Sequence, residues 1–397
     1  MSINGHNLLV PNDRTHHICS LATHARQTHH LLDITRHLAT KLRHKHSRHS
    51  CQVLRLVVRI GDTADILVNL LVEPKNIVVV GHTNPDGDAI GSSLALAEVL
   101  TARGHKVTCT LPNNYPYYLR WIPNSENIII YRNDEEHRTE KALDEADVIV
   151  CADMNSLTRA DALGEAVAKN TTAKRVLIDH HLFPAEGFDI MFSYPESSST
   201  AFLMYSIIVA LYGKEAITEK VATQLYVGIM TDTGNFAFSE LTPELFQAVA
   251  VLAGSGINIP QIYNNVYNSF TEGRAKLFGY TINRKMKTLL GGRVAYMSLT
   301  EEEMRRYWFQ QGDNEGFVNY PLTIKKMKMS AMFTAQQGFI RVSLRSRGNV
   351  DVDTFARRYF NGGGHKNAAG GKSFVSMEET IQHYIDSVHK YHEEGLV

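Results

Sequence analysis

From residue 75 onward, short apolar runs alternate with longer segments whose apolar positions fall three and four apart. The runs 77–80 (IVVV), 106–111 (KVTCTL), 128–131 (IIIY), 147–152 (DVIVCA), 175–178 (RVLI) and 188–193 (FDIMFS) hold four to six residues each. That is too short for a stable helix and rich in β-branched side chains, so strands are predicted. Helices are predicted over 89–103, 137–146, 158–169, 199–212, 218–230 and 243–254. Gly104 stands where a glycine ends the first of them. Near-continuous apolar strands separated by helices predict a mostly parallel sheet covered on both faces.

The pattern changes after residue 270. A long helical stretch is predicted over 271–290. Strands follow at 293–299, 329–335 and 339–345, with helices near 301–309, 351–360 and 377–393. A chain of 397 residues exceeds the usual size of a single core. The expected architecture is α/β: a mostly parallel-sheet N-terminal domain over 60–270, a helical connector over 271–320, and a smaller α/β domain over 321–397.

Composition changes the picture only at the N-terminus. The formal net charge is zero, but residues 1–59 carry nine Lys/Arg against two Asp, and ten of the 19 histidines. The histidine spacing is irregular, and no apolar stretch follows the basic residues as a secretory signal requires. Residues 1–55 are expected to be a disordered His/Arg-rich extension. No run approaches ~20 consecutive apolar residues, so no membrane span is expected. Cys19, Cys51, Cys109 and Cys151 show no CxxC spacing. That suits a reducing, cytoplasmic setting.

The candidate chemistry sits where the apolar strands end. After IVVV come His82, Asp86 and Asp88; after VIVCA comes Asp153; after RVLI comes Asp179-His180-His181. Asp232 lies in "TDTG" after the apolar segment LYVGIM. Ligand sites of open α/β sheets lie outside the carboxyl ends of the strands, so these groups are expected to share one crevice. One aspartate after a strand is usually a cap or turn former. Several acids and imidazoles together repel one another unless cations offset them. The mixed set suits Mn2+, and less well Mg2+ or Zn2+.

The motifs HTNPDGDAIGS, ADMN, DHH and TDTG, in this order, resemble those of the DHH phosphoesterase superfamily, and GGGHKNAAG over 362–370 resembles the signature of its DHH-associated second domain. Within the superfamily the chain is most similar to the bifunctional oligoribonuclease (nanoRNase) and 3′-phosphoadenosine 5′-phosphate phosphatase group. The resemblance implies two divalent ions. His82, Asp86 and Asp153 would hold one; Asp88, Asp153, His180 and Asp232 would hold the other, with Asp153 shared. Asp179 would orient a histidine, and His181 would face the substrate phosphate.

For the substrate, the resemblance points to Ser198, Ser199 and Thr200, for which an N-cap is the alternative reading. It points also to Arg345 and Arg347, to Gly362, Gly363 and Gly364 approaching an anion, and to His365 with Lys366. The implied activity is hydrolysis of short single-stranded RNA and dinucleotides to mononucleotides, and of 3′-phosphoadenosine 5′-phosphate to AMP. A cyclic or linear dinucleotide phosphodiesterase shares the same core, and a non-catalytic nucleotide-binding module is the reading outside enzymes. No membrane partner is implied, and a homodimer is compatible with all of these.

Overall fold

The computed structural model describes residues 63–238 and 241–397; the extension expected over 1–55 lies outside them. Leu70–Val397 form one compact unit. Its first half contains β1 (Asn76–Val80), α1 (Gly87–Thr101), β2 (Lys106–Leu111), β3 (Ile129–Ile130), α2 (Arg138–Asp144), β4 (Val148–Ala152), α3 (Asp161–Lys169), β5 (Lys174–Asp179), β6 (Ile190–Ser193), α4 (Thr200–Tyr212) and α5 (Glu219–Asp232). The strands form one parallel sheet in the order β3-β2-β1-β4-β5-β6. β1 and β4 are buried almost throughout, which is why their sequences read as unbroken apolar runs. The chain goes from β1 to β2 on one side and returns to β4 on the other, so a crevice opens at the carboxyl ends of β1 and β4.

Three helices, α1, α4 and α5, pack against one another at unusually close range. A Cβ on Gly91 of α1 would lie 2.3 Å from the Gln224 carbonyl oxygen on α5. One on Gly228 of α5 would lie 2.5 Å from Ala201 Cβ and 2.9 Å from an Asp88 carboxylate oxygen. Only glycine lets α5 approach α1 and α4 this closely, and that approach sets where Asp88 and Asp232 sit.

The second half runs α6 (Pro243–Gly254), α7 (Ile259–Tyr267), α8 (Glu272–Tyr280), β7 (Lys287–Leu289), β8 (Val294–Leu299), α9 (Glu301–Arg306), β9 (Met329–Gln336), β10 (Phe339–Ser346), α10 (Val352–Tyr359), β11 (Gly363–His365), β12 (Ala368–Ser373) and α11 (Met377–Glu393). Its mixed sheet has the order β11-β12-β10-β9-β8-β7, with only β8 and β9 parallel. Phe333, Phe355, Phe360, Tyr384 and Tyr391 fill the core between this sheet and α10 and α11.

The helix expected over 271–290 stops ten residues early. A single π turn at Thr281–Lys285 ends it, where the Thr281 hydroxyl donates back to the Leu277 carbonyl at 2.7 Å, and β7 follows. Gly291 and Gly292, both with positive φ, then turn the β7–β8 hairpin. Two further strands, not predicted from the sequence, lie over the glycine-rich segment. β11 and β12 pair so tightly that a Cβ on Gly362 would lie 1.9 Å from the Gly370 carbonyl oxygen and one on Gly364 2.5 Å from that of Ala368.

Candidate metal centre

Each donor is placed by the element that precedes it. β1 delivers His82, β4 delivers Asp153 and β5 delivers the Asp179-His180-His181 turn; these strands are neighbours in the sheet, so the three groups arrive side by side. Asp86 is the N-cap of α1, its Oδ1 accepting from the Asp88 and Ala89 amides at 3.0 and 3.1 Å. Asp153 has a φ of +59°, a left-handed turn that aspartate tolerates. Asp232 is the last residue of α5.

The donor atoms fall into two groups that share one carboxylate. His82, Asp86 and Asp153 form the first, and Asp88, Asp153 and His180 the second; within each group the ligand atoms lie within 4.8 Å of one another. Asp232 joins the second group, with an oxygen 3.4 Å from His180 Nε2. His82 Nδ1 lies 2.9 Å from the Thr83 carbonyl oxygen and His180 Nδ1 lies 3.1 Å from that of Ser197. A carbonyl can only accept, so in both rings Nδ1 carries a proton and Nε2 is the nitrogen that faces the carboxylates, available to an ion.

The spacings fit a cation. His82 Nε2 lies 3.4 Å from Asp153 Oδ2, and His180 Nε2 lies 3.7 Å from Asp153 Oδ1 and 3.8 Å from Asp88 Oδ2. Direct charge-assisted hydrogen bonds are shorter, about 2.7–2.9 Å. Two ligands each about 2.1 Å from one ion are separated by roughly 3.0 Å at a right angle and up to about 4.2 Å when opposite. The donor set of carboxylates and imidazoles therefore suits a divalent ion of the Mn2+, Mg2+ or Zn2+ type.

Electrostatics agree. Burial, followed by the charges of Asp153, Asp232 and Asp86, raises the Asp88 carboxyl well above the ordinary range, although the amides of Thr200 and Ala201 at the start of α4 donate to it at 2.7 and 2.8 Å. Burial also raises Asp232 to about 7, opposed by His180. Asp153 goes the other way: burial disfavours its charge, but His82, His181 and His180 hold it well below the carboxylate range. Burial disfavours charge on His82 and His180 too, yet the surrounding aspartates raise both rings. Protons here offset the charge that a divalent ion would offset.

Asp179, fully buried, accepts from His181 through both oxygens: Oδ1 lies 2.7 Å from the ring Nδ1 and Oδ2 is 3.0 Å from the amide. The His181 ring is thus turned with Nε2 outward. The ring of His365, at the end of β11, stacks 4.9 Å from both His180 and His181. Burial, together with those two neighbours, pushes His365 down to about 3, so it is a neutral imidazole at working pH.

The remaining expected residues divide. Thr200 donates its hydroxyl to Asp153 Oδ1 at 2.9 Å, and Ser199 caps α4 by accepting from the Phe202 amide at 3.0 Å. Ser198, Ser199 and Thr200 lie almost fully buried behind the carboxylates, and none lines the cleft. Arg345 lines the cleft, whereas Arg347 lines a second pocket and Lys366 reaches Asn349. The Gly362–Gly364 triplet lines the cleft too, but its lack of side chains serves strand pairing. The Gly364 amide is already taken by Asp353 Oδ1 at 2.7 Å.

Two residues at this site were not anticipated. Arg159, in the turn after ADMN, lines the cleft with one guanidinium nitrogen buried and unpartnered. Its only signal is an arginine close behind a candidate ligand. Asp353 holds Gly364 and accepts from Arg357 at 3.0 Å, and that guanidinium stacks 4.7 Å from the Phe183 ring, two residues beyond His181. No local pattern marks it.

A cleft of about 1280 Å3 adjoins these donors through His181 and His365, with Arg159 and Arg345 also on its walls. This arrangement belongs to a family. Residues 76–229 match the DHH family, N-terminal domain, and residues 292–392 match the DHHA1 domain. The chain belongs to the DHH family of phosphoesterases and is an enzyme of that class.

Among its relatives is the bifunctional oligoribonuclease and PAP phosphatase NrnA of Thermus thermophilus, 27% identical over 316 residues, 79% of this chain and 89% of the relative. The cyclic-di-AMP phosphodiesterase GdpP of Bacillus subtilis is 24% identical over 365 residues, 86% of this chain but 52% of GdpP. The crystal structure of an exopolyphosphatase-related protein from Bacteroides fragilis superposes with a TM-score of 0.78 at 37% identity, covering 83% of this chain and 96% of the other.

Proposed function

We propose that this chain hydrolyses short oligoribonucleotides to mononucleotides and dephosphorylates 3′-phosphoadenosine 5′-phosphate to AMP, using two divalent ions, Mn2+ by preference. The observation that carries this reading is the pair of donor groups sharing Asp153, next to a cleft whose walls bear arginine and neutral histidine. The relatives named for these two activities, each matched over most of its length, favour it over other phosphoester substrates.

His82, Asp86 and Asp153 would hold one ion, and Asp88, Asp153, His180 and Asp232 the other. Bound there, the ions would neutralise the phosphoryl oxygens and supply an activated water. The chain's own residues do the rest. Asp179 keeps the His181 proton on Nδ1, so Nε2 meets the cleft as an acceptor, and the carboxylate stabilises the ring if it takes a proton. Arg345, close enough to feel the charges of Asp232 and Asp86, receives the substrate phosphate at the metal end. The unpartnered nitrogen of Arg159, from the other half of the chain, offers a second donor.

In this reading the half carrying the DHH match cuts and the half carrying the DHHA1 match grips. Buried Cys109 and Cys151, their thiols pushed up to about 12 by burial, are unreactive and suit a reducing cytoplasm. The test is a turnover panel with Mn2+: 5′-phosphorylated di- to pentaribonucleotides, 3′-phosphoadenosine 5′-phosphate and cyclic di-AMP. Turnover of the first two classes over the cyclic compound is expected. Preference for cyclic di-AMP would reassign the enzyme to the cyclic-dinucleotide class.

A further inference from the structure

β10 alternates strictly between core and cleft. Ile340, Val342, Leu344 and Ser346 are buried, while Phe339, Arg341, Ser343 and Arg345 are half-buried and all four line the cleft. Side chains two apart on a strand are about 6.6–6.8 Å apart, so the row extends roughly 20 Å from Arg345 to Phe339. Arg345 marks the metal end. At the other end Lys372 of β12 stands directly opposite Arg341 in the sheet, and its ammonium lies 5.2 Å from the centre of the Phe339 ring.

The charged side chains that β10 and β12 bring to the cleft are all cationic, with Glu315 the nearby carboxylate beside Arg345. Among the described residues neither Arg341 nor Lys372 forms an ion pair, and the cleft-lining residues of β10 and β12 include no carboxylate. The lining from the first half is mixed, with Asp134, Glu135, Glu140 and Asp161 beside Arg132, His137 and Arg159. The unpaired cations spaced along β10 and β12 are the ones arranged in a row that a strand of phosphates could follow. The cavity of about 1280 Å3 is also larger than the roughly 300–1,000 Å3 that suffices for one small ligand.

We propose that the β10 row is a track for the part of a single strand that lies beyond the phosphate being cut. Arg341 and Lys372 take the next phosphate along, and Phe339 stacks on the base at the far end. The inference rests on the oligonucleotide reading above and adds a length limit to it. Phosphate contacts carry no sequence information, and an aromatic platform accepts any base. The track therefore reads length and not sequence: a third nucleotide gains contacts, and a fourth finds none beyond Phe339.

The test is KM for 5′-phosphorylated di-, tri- and tetraribonucleotides with the Mn2+-loaded full-length chain at several salt concentrations. For the wild type, KM should fall from di- to trinucleotide and stay level beyond. Arg341→Ala and Lys372→Ala, on separate strands, should each raise the trinucleotide KM toward the dinucleotide value. Each should also flatten the slope of log KM against log salt by about 0.7, the contribution of one phosphate contact on a single strand.

Phe339→Leu should raise the trinucleotide KM roughly five- to hundredfold with the salt slope unchanged. Melting temperatures equal to wild type keep misfolding out of the comparison, and the two cationic variants check each other. Hydrolysis of all three substrates with no dependence on length, or variants indistinguishable from wild type, overturns the track alone. A wild type that hydrolyses none of them with Mn2+ present overturns the proposed function and the track with it.

Discussion

Asp353 connects nothing to the metals directly, yet it should control how the cleft handles substrate. It is buried, and one oxygen accepts from the Gly364 amide at 2.7 Å while both lie 3.0 Å from Arg357 Nε. Gly364 precedes His365, and Arg357 stacks on Phe183 beside the DHH turn, so one carboxylate ties the end of β11 to the opposite wall. Asp353→Ala leaves the Gly364 amide without its acceptor, and losing a hydrogen bond to a charged group costs roughly 1.5–3 kcal/mol. Asp353→Asn keeps an acceptor without the charge and should cost about half as much.

Asp353 is a positioning residue, so its signature differs from that of a group at the reacting atoms. KM for a dinucleotide should rise about tenfold in Asp353→Ala and less in Asp353→Asn, in step with the loss of stability by urea melt. kcat should change little, and bound metal should be unchanged. Unaltered stability and KM in Asp353→Ala would refute the tie. A fall in kcat with constant KM would place Asp353 in the chemistry itself.

Thr200→Val removes a buried hydroxyl that donates to Asp153 and should destabilise the protein by roughly 1.5–3 kcal/mol in a urea melt; no change would mean that the 2.9 Å contact carries nothing. Gly228→Ala forces a Cβ against Ala201 and Asp88, costing roughly 1–3 kcal/mol and weakening divalent-ion binding by calorimetry, whereas Gly254→Ala, with open space around its Cβ, should do neither. In EDTA the protein should lose stability as pH rises from about 6.5 to 8. Asp232, raised to about 7, releases in this window a proton that the unfolded chain has already lost, at up to about 1.4 kcal/mol per pH unit, and the raised Asp88, His82 and His180 act in the same direction. His181 and His365 are lowered, so they oppose the trend, but weakly and only at the bottom of the window, where the unfolded chain still binds part of a proton at each. Saturating Mn2+ should abolish or reverse the trend, and a melting temperature that rises with pH in EDTA would contradict it.

The parallel sheet was legible because β1, β4 and β5 are buried on both faces and so read as unbroken apolar runs, with acids and histidines at the one end where a parallel sheet can converge them. The second half was less legible. β7 is only three residues long and follows a helix with which it shares a charged, featureless run, and the Gly-Gly of its hairpin was the available signal. β11 and β12 consist largely of glycine and alanine, so their pairing leaves no alternation to read. The glycine triplet itself was read as a bare anion cradle, because sequence does not show that β12 backbone and the Arg357 side chain occupy the space its missing Cβ atoms leave. The SSST segment signalled a cap; its reach to Asp153 depends on α4 crossing beside α5, which only the three-dimensional packing of Gly91 and Gly228 provides.

The most direct test of the metal centre is mononucleotide release from a 5′-phosphorylated trinucleotide, measured after exhaustive chelation and during stepwise return of Mn2+, with bound metal counted in the same samples. The shared carboxylate predicts no release without metal, recovery as two ions bind per chain, and loss of both ions together with activity in Asp153→Ala. Release that survives chelation, or an Asp153→Ala chain that keeps two ions and near wild-type turnover, would contradict it.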